Sequence, residues 1–364
     1  MLAKKAEGEE RRQLRHSQGP MSMQRQGALS AIDYYNEYHG HRVEDLTLVI
    51  SHFKSTRPAT PLMWLAGDSS LDSKYWFSET SPAINGYEEV LHPSTMKKDV
   101  CFSLNREFIS RKRDMVCINT AIEATSIGDR ACGRLLKQDV ILRDNISSRD
   151  CLVVSIGGND IALKPNPGTI LNMLFLMCCL PESCIDGLAC GCAIGVDDCC
   201  CGCGSSCLSN LCACPPGLGY FIHLFKVRIE SYISRLCAKT TPKTILLCMI
   251  YFPDEMATGS WADGALGILG YNVNANPGKL QKLIQIIFKL ATQRVRGPGT
   301  EVVAVPLYEA MNGKNTRDYC QRVEPSPQGA AKMSSLLLDY LEHREQGLTL
   351  SPREAAVEVS ERED

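Results

Sequence analysis

The stretch "LMWLAGDSSLD", residues 62–72, places consecutive apolar residues directly before a Gly-Asp-Ser sequence. Apolar residues that follow one another without alternation are typical of a strand that is buried on both faces of a parallel sheet. Four similar runs occur further along the chain: "MVCINT" (115–120), "CLVVSIG" (151–157), "TILLCMIYF" (244–252) and "EVVAVPLY" (301–308). The sequence therefore predicts five buried strands.

Helical periodicity separates these runs. Apolar residues recur at one-face spacing before the fourth run, after it and after the fifth, at Phe225, Ile229, Ile233 and Leu236, at Leu280, Leu283, Ile284, Ile287 and Ala291, and at Met333, Leu336, Leu337, Tyr340 and Leu341. Strands that alternate with helices form right-handed βαβ units. The pattern predicts an α/β fold, a three-layer α/β/α sandwich around a five-stranded parallel sheet.

The ends of the chain and one internal segment differ in composition from the rest. We expect residues 1–41 to be disordered, residues 42–59 to form an N-terminal helix, and residues 60–344 to form one α/β domain. A cysteine-rich insertion, 178–216, interrupts this domain, and residues 345–364 are predicted to be a disordered tail.

Composition excludes several classes of function. The chain has 364 residues, of which 22% are charged, and its formal net charge is −2, so it lacks the basic character of a nucleic-acid binder. The apolar stretch "TILNMLFLMCCL", 169–180, is shorter than the roughly 20 residues that span a bilayer. The charged start of the chain contains no apolar core of a secretory signal. We therefore expect a cytoplasmic protein with no transmembrane segment.

Polar residues follow the predicted strands where the strands end. The first run leads into Gly67-Asp68-Ser69, the second into "NTAIEATS" from Asn119, the third into "GGND" (157–160), and the fourth into "PDEMATGSWAD" (253–263). Because the carboxyl ends of parallel strands share one edge of a sheet, these groups are predicted to form a site there.

These blocks resemble those of the SGNH (GDSL-type) hydrolase superfamily, whose members are esterases, lipases and carbohydrate acetylesterases with a flavodoxin-like fold. Gly-Asp-Ser after the first strand matches the nucleophile block, and "RDCLVVSIGGND" (149–160) matches the block that carries an oxyanion-binding asparagine. The segment "NTAIEATS" resembles the block in which the family usually has a glycine, a position that Ala124 occupies here.

The resemblance implies a serine ester hydrolase that needs no cofactor or metal. Ser69 would be the nucleophile, and the oxyanion would be held by the Ser69 and Ala124 N–H groups together with the Asn159 amide. The substrate would be a small-molecule ester of an acetyl or short acyl group, or an acylated glycan. Around the substrate we expect Asp68, Gly158, Asp160, Trp261 and Asp263.

The last family block departs from the usual pattern. The family has Asp, two residues and then His before a Pro-Ser pair, whereas "QRVEPSPQG" has Gln321 and Glu324 at the Asp and His positions. Three alternatives for the base remain open. Glu324 acts as the base if burial raises its pKa, His92 does so if a helix that starts near Thr95 brings it to the catalytic edge, or the site has no base.

Two further hypotheses lie outside catalysis. The chain is either a non-catalytic descendant of such enzymes that binds a ligand or acts as a scaffold, or a protein whose cysteine-rich insertion is a metal or redox module. Twelve cysteines lie between Cys178 and Cys214, but they do not form the paired C-x-x-C arms that are typical of zinc sites. Asp68 and Ser69 are also residues that commonly cap a turn. The sequence does not determine the oligomeric state.

Overall fold

Five strands form one parallel sheet in the computed structural model, which describes residues 29–179, 217–271, 277–348 and 350. In chain order they are β1 (Leu62–Gly67), β2 (Val116–Asn119), β3 (Cys151–Ser155), β4 (Thr244–Met249) and β5 (Val302–Pro306). All neighbouring pairs are parallel. The prediction of five strands is confirmed, and each strand lies within the apolar run that indicated it. The first four are buried throughout, whereas β5 at the edge of the sheet is buried only at Val305 and Pro306.

The order of the strands across the sheet is β2-β1-β3-β4-β5. The chain passes from β1 outward to β2 and then returns across β1 to β3, so the direction of winding reverses between β1 and β3. In open parallel sheets, ligands bind beyond the carboxyl ends of the strands at such a switch point. Here that point lies beyond Gly67 and Ser155, which are register partners at the ends of β1 and β3.

Helices connect the strands and cover both faces of the sheet. The described α-helices are α1 (Ala31–Asn36), α2 (Val43–Thr56), α3 (Val100–Ser110), α4 (Lys137–Asn145), α5 (Gly158–Ala162), α6 (Pro167–Leu174), α7 (Leu218–Ile222), α8 (Ile229–Leu236), α9 (Asp263–Ile268), α10 (Pro277–Leu290) and α11 (Pro327–Glu345). The helices α8, α10 and α11 confirm the three helices that periodicity predicted.

The helices form two layers. The pair α3 and α11 pack on each other, whereas α4 packs against both α2 and α8. Right-handed crossovers to either side of β1 require these two groups to lie on opposite faces of the sheet. The α/β/α sandwich is therefore confirmed. Trp64 of β1 lies fully buried at its centre and donates a 3.0 Å hydrogen bond from Nε1 to Oδ2 of Asp150.

Shorter elements complete the described chain. Three two-stranded pairs lie outside the main sheet: Leu29–Ser30 with Leu91–His92, Thr80–Pro82 with Thr95–Lys97, and Tyr319–Cys320 with Glu324–Pro325. The 3-10 turns are Lys74–Trp76, Tyr87–Glu89, Gly128–Arg130, Thr292–Arg294, Leu307–Glu309 and Thr316–Asp318, and the π-helical segments are Phe175–Cys179 and His223–Arg228. None of the helices in the described ranges is long and apolar enough to cross a membrane.

Two expectations are wrong in part. Residues 29–41, which were expected to be disordered, contain a strand and the helix α1, since Leu29, Tyr34 and Tyr35 are buried in the core. The predicted helix start near Thr95 is also wrong, because residues Thr95–Lys97 form a strand and α3 begins only at Val100. The expectations for residues 1–28, for 180–216 of the insertion and for the tail from 351 lie outside the described residues.

Candidate active site

The turn that follows β1 requires glycine at position 67. Gly67 has φ of +137°, and a Cβ atom added to it would lie 1.7 Å from the Ser155 carbonyl oxygen of β3. The next residue, Asp68, donates its N–H to the same carbonyl at 3.0 Å, and its Oδ2 accepts the N–H of Gly157 at 3.2 Å. These contacts bind the loops after β1 and β3 to each other, with Ser69 at the turn.

Ser69 lies against the residue that occupies the family's histidine position. Its side chain is near enough to the Glu324 carboxyl to lower the pKa of that group, and both residues line one cleft. Both are buried, with 8% of Ser69 and 3% of Glu324 exposed. Oε2 of Glu324 accepts no hydrogen bond from the described residues. The geometry thus provides a hydroxyl next to a carboxyl that has a spare acceptor.

Burial changes the acidity of Glu324. Desolvation raises the pKa of this carboxyl to about 8, and the negative charges of Asp68 and Asp72 act in the same direction, while the interaction with the Ser69 side chain opposes them. An ionised carboxylate is disfavoured where water cannot solvate it, which is why burial raises an acid's pKa. A general base is most effective when its pKa is near the working pH, so Glu324 has the acidity that a histidine would otherwise provide.

The backbone around Glu324 is held by a buried arginine. Arg322 is 2% exposed and donates to the Asp254 carbonyl at 3.0 and 2.9 Å, to the Tyr271 carbonyl at 3.1 Å and to Oδ1 of Asp263 at 2.8 Å. The Tyr251 hydroxyl donates to the Val323 carbonyl at 2.6 Å. These bonds join the loop after β4 to the segment that presents Glu324.

The residues after Glu324 begin the last helix. Ser326 is the N-cap of α11, where its Oγ accepts the Gly329 N–H at 3.2 Å, and Pro327 occupies the first turn. A Cβ atom on Gly329 would lie 2.1 Å from the Asp318 carbonyl oxygen. Ser326 and Gly329 of this block are therefore needed to begin and pack α11, whichever residue is the base.

The opposite side of the site holds candidate oxyanion donors. Asn159 is 7% exposed, lines the cleft, and donates one amide hydrogen to the Thr125 carbonyl at 2.9 Å, which leaves its second amide hydrogen available. Ala124 precedes Thr125 and has φ of +55°, the left-handed conformation that glycine adopts most easily. This explains why the resembling family usually has glycine at this position.

Asp160 and Arg130 hold the loop that carries Ala124. The Asp160 carboxylate accepts the N–H groups of Ile127 at 2.8 Å and Gly128 at 3.1 Å. Burial raises the pKa of Asp160 to about 6. Arg130 is fully buried and donates to the Gly67 carbonyl at 3.2 Å and to Oγ1 of Thr125 at 3.0 Å. Asp160 is therefore placed as a positioning residue, and it is not among the residues that line the cleft.

A buried lysine that no sequence motif indicated lies behind this loop. Lys74 is fully buried, with Nζ 2.6 Å from Oδ2 of Asp72 and 3.6 Å from Oε2 of Glu123, the residue before Ala124. Burial alone lowers the pKa of Lys74, but the two carboxylates more than offset this and raise it. Glu123 also accepts the Tyr75 N–H at 3.3 Å, so this buried cluster joins the residue before Ala124 to the segment after β1.

A mainly apolar cleft extends from Ser69. It holds about 890 Å³ of empty space, including the part that is open to solvent. Its polar side chains are those of Asp68, Ser69, Ser70, Asn159 and Glu324, together with the Tyr251 hydroxyl and the Trp261 indole N–H. The remaining lining comes from α5, α6, α9 and α10 and from the loops after β4 and before Glu324: Gly158, Ile161, Ala162, Met173, Ile250, Pro253, Ala265, Leu266, Leu269, Leu280, Leu283, Ile284, Ile287 and Val323.

The structure separates the other predicted site residues. Asp68, Gly158 and Trp261 line the cleft, as expected for residues near a substrate. Asp263 does not; its Oδ1 pairs with Arg322, and its Oδ2 accepts the N–H groups of Gly259 and Ser260 at 2.9 and 3.0 Å. His92 is exposed, pairs through its short strand with Ser30, and is absent from the cleft lining.

Within residues 29–179, 217–271, 277–348 and 350, no group of three or more histidine, cysteine or acidic residues is arranged to hold a metal ion. Cysteines in the core, such as Cys117 and Cys248, behave as small apolar residues.

The chain is similar to solved structures of other proteins, but no protein-family model and no curated protein sequence matches it. Among solved structures it is similar to a family 3 carbohydrate esterase from Clostridium thermocellum, with 14% identity, 80% of this chain and 100% of that chain covered, and a TM-score of 0.35.

Two further solved structures are similar at the same level. One is the acetylxylan esterase Axe2 from Geobacillus stearothermophilus, with 9% identity, coverage of 77% and 93%, and a TM-score of 0.36. The other is an extracellular lipase from Streptomyces rimosus, with 11% identity, coverage of 77% and 99%, and a TM-score of 0.36. Since these TM-scores are below 0.5, we draw nothing about function from them.

Proposed function

We propose that the protein is a serine ester hydrolase in which Glu324 is the general base. The observation that carries this proposal is the placement of the Ser69 side chain in one cleft with a buried carboxyl on whose pKa, about 8, it acts. A serine hydroxyl becomes a nucleophile when an adjacent group accepts its proton in the transition state. Glu324 is the acceptor in contact with Ser69, and its raised pKa suits it to that task.

In the first half-reaction, Oγ of Ser69 attacks the ester carbonyl carbon while Glu324 takes the hydroxyl proton. The carbonyl oxygen becomes negatively charged and accepts hydrogen bonds from the Ser69 and Ala124 N–H groups and from the free amide hydrogen of Asn159. Protonated Glu324 then donates its proton to the leaving alkoxide. The C–O bond of the ester breaks, the alcohol departs, and the acyl group remains on Ser69.

In the second half-reaction, water attacks the acyl-serine and gives its proton to Glu324. The same donors hold the second oxyanion, and the proton on Glu324 returns to Oγ of Ser69 as the acid leaves. The enzyme is restored without a cofactor. Because Glu324 must be ionised to begin each half-reaction, activity is expected to rise with pH through about 8.

The test is covalent labelling of the serine. Purified full-length protein is treated with a fluorophosphonate probe, and hydrolysis of p-nitrophenyl butyrate is measured beside it, for the wild type, Ser69→Ala and Ser94→Ala. Ser94 is exposed and lies outside the cleft lining, so it serves as the matched serine control. Labelling and turnover that are lost only in Ser69→Ala are expected.

The alternatives have distinct outcomes in the same experiment. Loss of turnover in His92→Ala with retention in Glu324→Gln would transfer the role of base to His92 and contradict the proposal for Glu324. Absence of both labelling and turnover in folded wild-type protein would contradict the enzyme proposal and favour a non-catalytic protein that binds a ligand in the same cleft.

A further inference from the structure

We infer that the cleft beside Ser69 binds an apolar acyl chain of medium length, so that the substrate is an ester of a fatty acid rather than of acetic acid or a glycan. This inference rests on the proposed function for the reaction itself. The polarity of the ligand is inferred from the residues that line the cleft, and these residues are the same whether or not Ser69 is a nucleophile.

The distribution of polarity along the cleft favours an acyl chain. Asp68, Ser69, Ser70 and Asn159 at the exits of β1 and β3, together with Glu324, carry most polar groups of the lining, and the reacting ester group must be placed there. Of the two polar aromatic side chains in the lining, Tyr251 donates its hydroxyl to the Val323 carbonyl, and Trp261 adds one indole N–H. Beyond them, α9 and α10 present only carbon and backbone. A sugar buried there would leave its hydroxyl groups without hydrogen-bond partners, which costs free energy for each group, whereas a hydrocarbon chain has no such groups.

The length of the cleft predicts the length of the acyl chain. Leu280, Leu283, Ile284 and Ile287 of α10 line it, and these residues span two helical turns. At 1.5 Å of rise per residue this wall is about 10 Å long, which accommodates an extended chain of about eight carbons. An acetyl group would leave most of this apolar surface exposed to water.

Two alanines give a way to shorten the cleft without disturbing the core. Ala265 of α9 and Ala162 of α5 line the cleft and are partly exposed, so a larger side chain at either position extends into empty space. Ile268 lies on α9, is 70% exposed and is not part of the lining, so Ile268→Phe is the matched control for Ala265→Phe.

The experiment measures kcat/KM for p-nitrophenyl acetate, butyrate, octanoate and dodecanoate, at concentrations at which the esters are monomeric. Each methylene that enters an apolar site is worth up to about fourfold, so octanoate is expected to exceed butyrate by about 10- to 200-fold. Ala265→Phe and Ala162→Phe should lower the ratio of the octanoate value to the acetate value at least tenfold. Ile268→Phe should retain the wild-type series.

A binding measurement separates this inference from the proposed function. Decanoate is titrated into Ser69→Ala protein by calorimetry, with Ser69→Ala/Ala265→Phe as the comparison. Saturable binding that the second substitution weakens supports the inference even if no ester is hydrolysed. Turnover that depends on Ser69 but does not increase beyond acetate overturns the inference and leaves the proposed function standing. Absence of both turnover and decanoate binding overturns both.

Discussion

Replacing Glu324 by glutamine should change how stability depends on pH. In the folded protein the pKa of Glu324 is about 8, whereas its ordinary value is 4.5. Between these two values the unfolded chain has lost the proton and the folded chain keeps it, so the free energy of unfolding falls as pH rises. At about 1.4 kcal/mol per pH unit, the loss amounts to at most about 5 kcal/mol.

Glutamine has the shape of the protonated acid but does not titrate. We therefore expect Glu324→Gln and the wild type to be similarly stable at about pH 5, where the contribution of the neutral acid is nearly intact, and the variant to be the more stable by several kcal/mol at about pH 9. Urea unfolding at a series of pH values measures this difference directly. Other buried acids titrate in both proteins, and their effects cancel when the two curves are subtracted.

Glu324→Gln should lower the rate of hydrolysis, although it raises stability at high pH. Loss of a general base lowers kcat/KM by about 10²- to 10⁴-fold, and the remaining activity should no longer rise through pH 8. Glu309→Gln is the matched control, because burial also raises the pKa of Glu309 to about 8 but this residue lies outside the cleft. It should alter the stability curve and keep the wild-type rate profile.

One result would refute this reasoning. If Glu324→Gln retained both the wild-type rate and the wild-type dependence of rate on pH, Glu324 would not be the base, whatever its pKa. A difference curve that stayed flat from about pH 5 to about pH 9 would show that the buried carboxyl titrates near its ordinary value.

Three other substitutions test the loops around Ser69. Gly67→Ala should destabilise the fold by more than about 4 kcal/mol in urea unfolding, because its Cβ atom would overlap the Ser155 carbonyl oxygen; wild-type stability would contradict the close packing of β1 and β3. Asn159→Ala should reduce kcat by about 10²- to 10³-fold with a smaller change in KM, and an unchanged kcat would exclude the amide as an oxyanion donor. Ala124→Gly should keep kcat and alter the free energy of unfolding by less than about 1 kcal/mol, since relief of the left-handed alanine offsets the flexibility of glycine; a large loss of activity would show that the alanine methyl group is needed.

The fold was predictable because its signals are local. Runs such as "LMWLAG" and "CLVVSIG" indicate strands buried on both faces, and the helices between them bury one apolar stripe each. The ordered segment at 29–41 was missed because its short strand and helix are stabilised by burial of Leu29, Tyr34 and Tyr35 against distant parts of the chain. Sequence periodicity over so few residues does not reveal such contacts.

The part of the candidate site that could be predicted consists of residues whose position follows from the order of strands along the chain. Gly-Asp-Ser and Gly-Gly-Asn-Asp occur at strand ends, so their meeting follows from the parallel sheet. The buried charges were not predictable, because Lys74 and Arg322 carry the residue types of a solvated surface. Their burial depends on partners such as Asp72 and Asp263, which only the folded chain brings within hydrogen-bonding distance.

The two departures from the resembling family's last block have one physical explanation. A histidine base becomes positively charged when it takes the serine proton, and an aspartate beside it orients and stabilises that cation. A glutamate base becomes neutral instead, so a second carboxylate next to it would only raise the charge that must be buried before the reaction. At the aspartate position this chain has Gln321, which is exposed, with φ of +50°, and carries no charge. In such a site the negative charge moves from Glu324 to the oxyanion. No cation forms beside the oxyanion, so no ion pair stabilises it. The donors at Ser69, Ala124 and Asn159 would therefore carry a larger part of the catalysis than they do beside a histidine.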